Sequence, residues 1–473
     1  MRFLRFIWLP VALVALIIVA LVQSADAGQD VDGVERVEQA SPLTPVLSAR
    51  RLPTALTTPG ADARLQFPLV SITDRSPSES CLVVATPNGR RIFDHNGDLP
   101  LVPASTNKIL TAAAVLDELG AQTMFVTTVS TEAPIVDDVV AGDLYLVGGG
   151  DPLLATDAYV ATFPVPPVVH TDFESLADQL VARGVTEVSG NVIGDDSRFD
   201  TVRYVESWPS RYREQGQTGP LSALSVDDGF SSFPDLAGSS RPRPSTDPAA
   251  HAAGELIDAL EERGVTVDGT ASSGVAPVRA QELASVTSPV LSDIVAQMLT
   301  ESDNSTAELL LKELGRLRSG SGATSSGAVA AADVLAENGI DTAPVTLIDG
   351  SGLDVGNRLT CGVLIDVLGL GGPDSAVANG LAVAGETGSL AGRFVDSAAA
   401  GRLRAKTGSL GSVTALSGFV ETFTERSLVF AYIVNDVTIP EDYLLLQEEL
   451  GAALVRYPEG PRPSAVGPLP LDG

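Results

Sequence analysis

Residues 102–120 read Val102-Pro103-Ala104-Ser105-Thr106-Asn107-Lys108-Ile109-Leu110-Thr111-Ala112-Ala113-Ala114-Val115-Leu116-Asp117-Glu118-Leu119-Gly120. From Ser105 to Leu119 there is no Gly or Pro. Ile109, Ala112, Ala113, Leu116 and Leu119 recur at helical spacing, and Gly120 supplies a stop. The pattern predicts a helix with Ser105 and Lys108 on its first turn, on one face at i and i+3. Lys108 is one of only three lysines in 473 residues, with Lys312 and Lys406; the other 27 of the 30 basic residues are arginine. Arginine cannot lose its proton in a protein, whereas a lysine amine changes pKa readily and can serve as a base. A chain this poor in lysine that places one a helical turn after a serine is read as needing a deprotonatable amine there.

Two further segments extend that reading. Ser302-Asp303-Asn304 falls between two helical stretches, Leu291 to Thr300 and Thr306 to Leu317. Lys406-Thr407-Gly408-Ser409 lies in the first of three strand-like runs, Arg402 to Gly408, Ser412 to Val420 and Ser427 to Val434, which read as an antiparallel meander. A serine hydroxyl is a poor nucleophile until a base takes its proton. Lys108 can be that base for Ser105 if burial and a neighbouring positive charge lower its pKa. Lys406 can supply the charge and pair with a substrate carboxylate. Ser302 is placed to relay a proton to the leaving group, and Asn304 to hold a substrate amide or the Lys108 amine. Backbone N–H groups of Ser105 and Ser409 would form an oxyanion hole, with Thr407, Gly408 and Ser409 binding a peptide laid along the strand. Each segment also has an ordinary use: Ser105 as a helix N-cap, Asp303 and Asn304 as caps, Thr407-Gly408 as a strand end. The ordered triple in a lysine-poor chain outweighs those uses.

Bulk properties narrow the field. A net charge of −30 argues against nucleic acid, whose phosphates need Lys/Arg patches. A hydrophobic content of 44% with 5% aromatics indicates an Ala/Val/Leu-rich globular core. His95, His170 and His251 are scattered without metal-ligand spacing, so no metal and no cofactor is expected. Gly148-Gly149-Gly150-Asp151-Pro152 lacks the Gly-Lys-Ser/Thr of a phosphate loop and reads as a turn, and Gly385-Glu386-Thr387-Gly388-Ser389 mimics the Lys406 motif with Glu for Lys and is also read as a turn. Cys81 and Cys361 are too few for a disulfide framework; one bridge is compatible with an exported chain, and two buried thiols is the reading preferred.

Along the chain, Arg2 and Arg5 precede an apolar run from Phe6 to Val22 and then Ala25-Asp26-Ala27, the order of a secretory signal. Residues 1–27 are read as a signal peptide, with an uncleaved membrane anchor as the open alternative; either way the rest is exported to the cell envelope. Residues 28–66 read as a linker, rich in Pro, Ala, Asp and Thr. Two short apolar runs around Pro87-Asn88-Gly89 predict a hairpin. Residues 128–248 change texture to short β-like runs with Gly and Pro clusters and one helix near Phe173 to Ala182, so they read as a mostly β insertion. Residues 67–127 and 249–457 then form one interrupted α+β domain, with helices at His251 to Arg263 and Glu441 to Val455. The Pro-rich tail 458–473 reads as disordered.

With Val102 to Lys108, Ser302 to Asn304, Asp349-Gly350-Ser351-Gly352-Leu353 and Ala405 to Ser409 in this order, the chain resembles the D-alanyl-D-alanine carboxypeptidase/endopeptidase family of low-molecular-mass penicillin-binding proteins. Ser302 stands 197 positions after Ser105, which fits the branch with an inserted domain. The resemblance implies a serine β-lactamase/penicillin-binding transpeptidase-like domain, a five-stranded antiparallel sheet with a helical lobe. It also implies attack by Ser105 on the terminal D-Ala-D-Ala bond of peptidoglycan stem peptides, and acylation by β-lactams. Some relatives also cut D-Ala-to-diamino-acid crosslinks. Set against that resemblance, the insertion is shorter than in many relatives, and Ser409 stands where Thr is frequent. Two rivals remain open at this point. A β-lactamase would need a deacylating carboxylate, and no Glu-x-x-Leu-Asn setting is present; a non-catalytic cell-wall binding protein would not need Ser105, Lys108, Ser302, Asn304 and Lys406 intact.

Overall fold

The computed structural model describes residues 48–163, 169–234, 241–460 and 463–467. The signal or anchor segment and most of the expected linker lie outside the described residues. Within a terminal unit, Ser48 caps a short turn, Ala49–Arg51, and the expected disordered tail contains a four-residue helix, Pro463–Val466. The main unit spans Thr58–Gly460.

Its centre is a six-stranded antiparallel sheet in the order Ala382–Val383, Leu403–Leu410, Val413–Glu421, Ser427–Val434, Ser80–Ala85, Arg91–His95. The predicted hairpin and meander are both present, and a short sixth strand, Ala382–Val383, extends the expected five. Helices cover both faces, so the central strands are apolar at nearly every position instead of alternating. Cys81, Val83 and Ala85 face one core with Ala415, Ala431 and Ile433; Leu82 and Val84 face the other with Leu416, Phe430 and Tyr432. The first core packs the helices Lys108–Leu119, Leu291–Glu301, Asn304–Ser319, Thr324–Glu337 and Cys361–Gly371 on the sheet. The second is closed by Pro440–Leu454 and by Pro53–Asp74.

That last helix corrects the linker reading over 53–66. Ala61, Leu65, Leu69 and Ile72 are buried at helical spacing, while Pro59 and Pro68 inside the helix had the look of breakers. The thiol reading is corrected as well: Cys81, on the sheet, and Cys361, first in its helix, form a disulfide.

The insertion leaves the domain after the Lys108 helix. A five-stranded sheet runs in the order Ala271–Ser273, Val192–Asp195, Leu144–Val147, Val126–Thr131, Gln281–Thr287, beside a smaller four-stranded one. The helices Ser175–Ala182 and Pro248–Glu262 pack on these sheets: Leu176, Leu180, Leu256 and Leu260 share one core with Val129, Leu144 and Val192. Because Pro248–Glu262 and the strands to Thr287 bury their apolar sides in this core, we place the insertion at 126–287. The expected return at 249 rested on helical texture, which does not reveal what a helix packs against.

Candidate active site

Ser105 lies on a tight 3-10 turn, Ala104–Asn107, and the α-helix proper starts at Lys108. The turn is entered through Ala104 at φ +47°, a left-handed conformation unusual for a residue with a Cβ. Gly352 packs on the Ala104 carbonyl so closely that a Cβ there would sit 1.9 Å from it. Ser105 is half-buried and Lys108 fully buried.

The Lys108 amine has three neighbours: Ser105 Oγ at 3.1 Å, Asn304 Oδ1 at 2.7 Å and the Ser351 carbonyl at 2.8 Å. A neutral amine carries two protons and one lone pair. Asn304 Oδ1 and the Ser351 carbonyl can only accept, so they take the two protons and leave the lone pair to Ser105 Oγ–H. Burial lowers the Lys108 pKa from 10.5 to about 8, against the raising effect of the Asp349, Asp303 and Glu308 carboxylates.

Asn304 is fixed from the other side. Its Nδ2 donates to the Gln217 carbonyl at 2.7 Å, which leaves Oδ1 for Lys108. Gln217 belongs to the insertion, which therefore contributes to the site. Asp303 caps the helix Asn304–Ser319, accepting from Thr306 N–H at 3.1 Å and Thr306 Oγ1 at 2.8 Å. The capping use read from the sequence is thus real for Asp303. Ser302, between the two helices, sits at φ +65°. Its hydroxyl is half-buried and makes no hydrogen bond among the described residues.

Lys406 is buried on the strand Leu403–Leu410 and its amine donates to the Thr407 carbonyl at 3.0 Å. Gly408 lets this strand approach the serine turn: a Cβ would lie 2.9 Å from the Pro103 carbonyl and 3.3 Å from Ala104 Cβ. Burial first, and then the Lys108 charge, hold the Lys406 amine well below the ordinary lysine range. Burial is the first cause at both amines, which share one buried site where each charge disfavours the other. Ser409 follows on the same strand, paired opposite Thr414.

Several contributors had no assigned role in the sequence reading. Asp349-Gly350-Ser351-Gly352 forms a cradle under the Lys108 helix: Glu308 Oε1 accepts from Gly350 and Ser351 N–H at 2.9 and 2.7 Å, and Thr111 Oγ1 donates to the Gly350 carbonyl at 2.8 Å. Buried Asp349 accepts from Gly352, Asp354, Asn357 and Trp208, the last at 2.8 Å from the insertion. The third lysine, Lys312, is fully buried on the Asn304 helix and pairs with Asp200 of the insertion; beside it Arg198 makes a two-pronged pair with Glu313. The only sequence hints were the scarcity of lysine, for Lys312, and the quoted Asp349 to Leu353 run. Among the described residues no cluster of His, Cys, Asp and Glu could hold a metal ion, and no helix is long and apolar enough to cross a membrane.

Comparison with known proteins gives consistent matches. The model of the D-Ala-D-Ala carboxypeptidase 3 (S13) family matches residues 73–241 and 234–448. A D-alanyl-D-alanine carboxypeptidase of Actinomadura sp. is 31% identical over 460 residues, covering 80% of this chain and 82% of that one. Carboxypeptidase DacB of Mycolicibacterium smegmatis is 32% identical over 461 residues, covering 90% of this chain and 92% of its own. Among solved structures, penicillin binding protein 4 (dacB) from Haemophilus influenzae superposes with a TM-score of 0.68 at 21% identity, over 81% of this chain and 98% of that one. That likeness shows the shared fold.

Proposed function

Because the chain belongs to the D-Ala-D-Ala carboxypeptidase 3 (S13) family, we propose that Ser105 is the nucleophile with which it removes the terminal D-alanine of peptidoglycan stem peptides. The enzyme is a serine-type D-Ala-D-Ala carboxypeptidase, and β-lactams bind it as substrate mimics. The observation that carries the site assignment is the trio of Lys108 contacts, which aims the lone pair of a neutral amine at Ser105 Oγ.

Ser105 Oγ forms a bond to the carbonyl carbon of the penultimate D-Ala while its proton passes to Lys108. The oxyanion is received by the N–H groups of Ser105 and Ser409, donors of a kind worth about 3 kcal/mol each. The C–N bond then breaks, and the proton on Lys108 reaches the departing D-alanine amine through the Ser302 hydroxyl. Water completes the cycle: Lys108 takes its proton as its oxygen attacks the ester carbonyl, the acyl C–Oγ bond breaks, and Lys108 returns the proton to Ser105 Oγ. Asn304 keeps the Lys108 amine oriented, and Lys406 with Thr407 receives the substrate carboxylate. A substrate in the cell wall places the enzyme in the envelope, and we assign residues 1–27 to export, as a cleaved signal or a retained anchor.

Release of D-alanine from an acyl-D-Ala-D-Ala peptide tests this. The wild type liberates one D-alanine per peptide, and Ser105→Ala liberates none above the uncatalysed rate. Release by Ser105→Ala would remove Ser105 from the mechanism. Rapid loss of β-lactam with turnover, in place of a lasting adduct, would favour a β-lactamase.

A further inference from the structure

We propose that Ser389 is a specificity-determining residue whose hydroxyl, paired with Thr407, receives the free carboxylate of the substrate's last residue. This rests on the acyl-enzyme reading above and extends it. Ser389 belongs to Gly385-Glu386-Thr387-Gly388-Ser389, the imitation of the Lys406 motif that the sequence alone reads as a turn.

The segment lies against the original. The strand Ala382–Val383 begins opposite Ala405 and runs past Arg404, away from Lys406. Lys406 to Leu410 therefore have no strand partner on that side among the described residues. A peptide laid on this open edge passes Thr407, where Ser389, on the loop that follows Val383, meets the strand. Thr407 Oγ1 donates to Ser389 Oγ at 3.0 Å. The Ser389 proton has no acceptor among the described residues, so it is available to an incoming acceptor. Both hydroxyls are half-buried, hence reachable.

The loop is held in place before substrate arrives. Val383 N–H donates to Thr387 Oγ1 at 2.8 Å, and Leu390 is buried in the core behind the sheet. Gly388 has φ +49°, and a Cβ on it would lie 2.1 Å from the Thr300 carbonyl, at the end of the helix that leads to Ser302. A fixed hydroxyl costs little ordering on binding. An arriving group thus meets two hydroxyls and, one residue along the strand, the Lys406 amine. That donor set suits a two-oxygen anion. A substrate whose chain continues beyond this point offers no such anion, so Ser389 favours removal of a terminal residue over cleavage within a crosslink.

The test uses two acyl-D-alanyl thioesters that differ only in the leaving group: thioglycolate, with a carboxylate, and ethanethiolate, without one. A hydrogen bond to a charged group sets the expected size. Ser389→Ala lowers kcat/KM for the thioglycolate ester about 10-fold to 100-fold, mostly through KM, and leaves the ethanethiolate ester unchanged. Ser389→Thr, which keeps a hydroxyl, retains the wild-type selectivity between the two esters. Equal loss on both esters, or no loss on either, overturns the assignment of Ser389 while leaving Ser105 in place. Failure of the wild type to turn over either ester overturns the acyl-enzyme reading itself, and Ser389 with it.

Discussion

The rate of acylation should titrate with Lys108. An ordinary lysine at pKa 10.5 is neutral in roughly 1 of 3,000 molecules at pH 7, whereas a lysine lowered to about 8 is neutral in roughly 1 of 10. Burial thus makes the neutral form of the Lys108 amine about 300 times more abundant at neutral pH. The second-order rate of acylation by a chromogenic β-lactam, followed by stopped flow, should rise about tenfold per pH unit below 7 and level off above about 8.5. Lys108→Arg keeps the positive charge but cannot give up its proton, so acylation should fall by about 10²–10⁴ and lose this pH dependence. A thermal melt of the variant confirms that it is folded. A rate that is flat from pH 6 to 9, or that rises only near 10.5, would refute the role of Lys108. Acylation of Lys108→Arg near the wild-type rate would do the same.

Burial and the Lys108 charge hold the Lys406 amine well below the ordinary lysine range, and a carboxylate beside it favours the charged form. Proton uptake on penicillin binding, read by calorimetry in buffers of different ionisation enthalpy, should therefore be smaller in Lys406→Met than in the wild type. At the junction with the insertion, Asp200→Ala leaves buried Lys312 without its partner and should cost about 3–5 kcal/mol, measured by urea unfolding. Lys312→Met removes the buried charge altogether and should cost less, so equal costs would show that the pair is not what is being measured. Stability should also fall with rising pH. Glu308 and Asp228 are raised to about 8, and Asp151 and Asp227 to about 6, all chiefly by burial. The folded state therefore binds their protons more tightly than the unfolded chain. Their contribution is full below about pH 4 and is lost as pH rises to 8. Asp228→Asn should flatten that decline, as read from unfolding midpoints at pH 5 and pH 8.

How much of this was legible in the sequence depended on the range of the interaction. The Lys108 helix, the hairpin after Cys81 and the terminal meander follow from local periodicity and turn residues. Ser105, Lys108, Ser302, Asn304 and Lys406 were singled out because three motifs stand in order in a chain poor in lysine. Contacts between distant segments were not legible. Nothing local shows that Ser351 offers its carbonyl to Lys108, that Gln217 orients Asn304, or that Cys81 lies beside Cys361 across a separation of 280 residues. The Pro53–Asp74 helix was hidden by its own prolines. The boundary at 249 was misplaced because a helical pattern carries no label for the core it joins. The sequence pairs Lys108 with Lys406 but does not show that both amines are fully buried, which is what lowers each of them.

The most direct test of the central claim is labelling of the exported domain with fluorescent penicillin, wild type beside Ser105→Ala, with the adduct located by peptide mass. The account predicts one covalent label per chain, carried by the peptide that contains Ser105 and absent from the variant. A label that persists in Ser105→Ala, or no label in either protein, would contradict it.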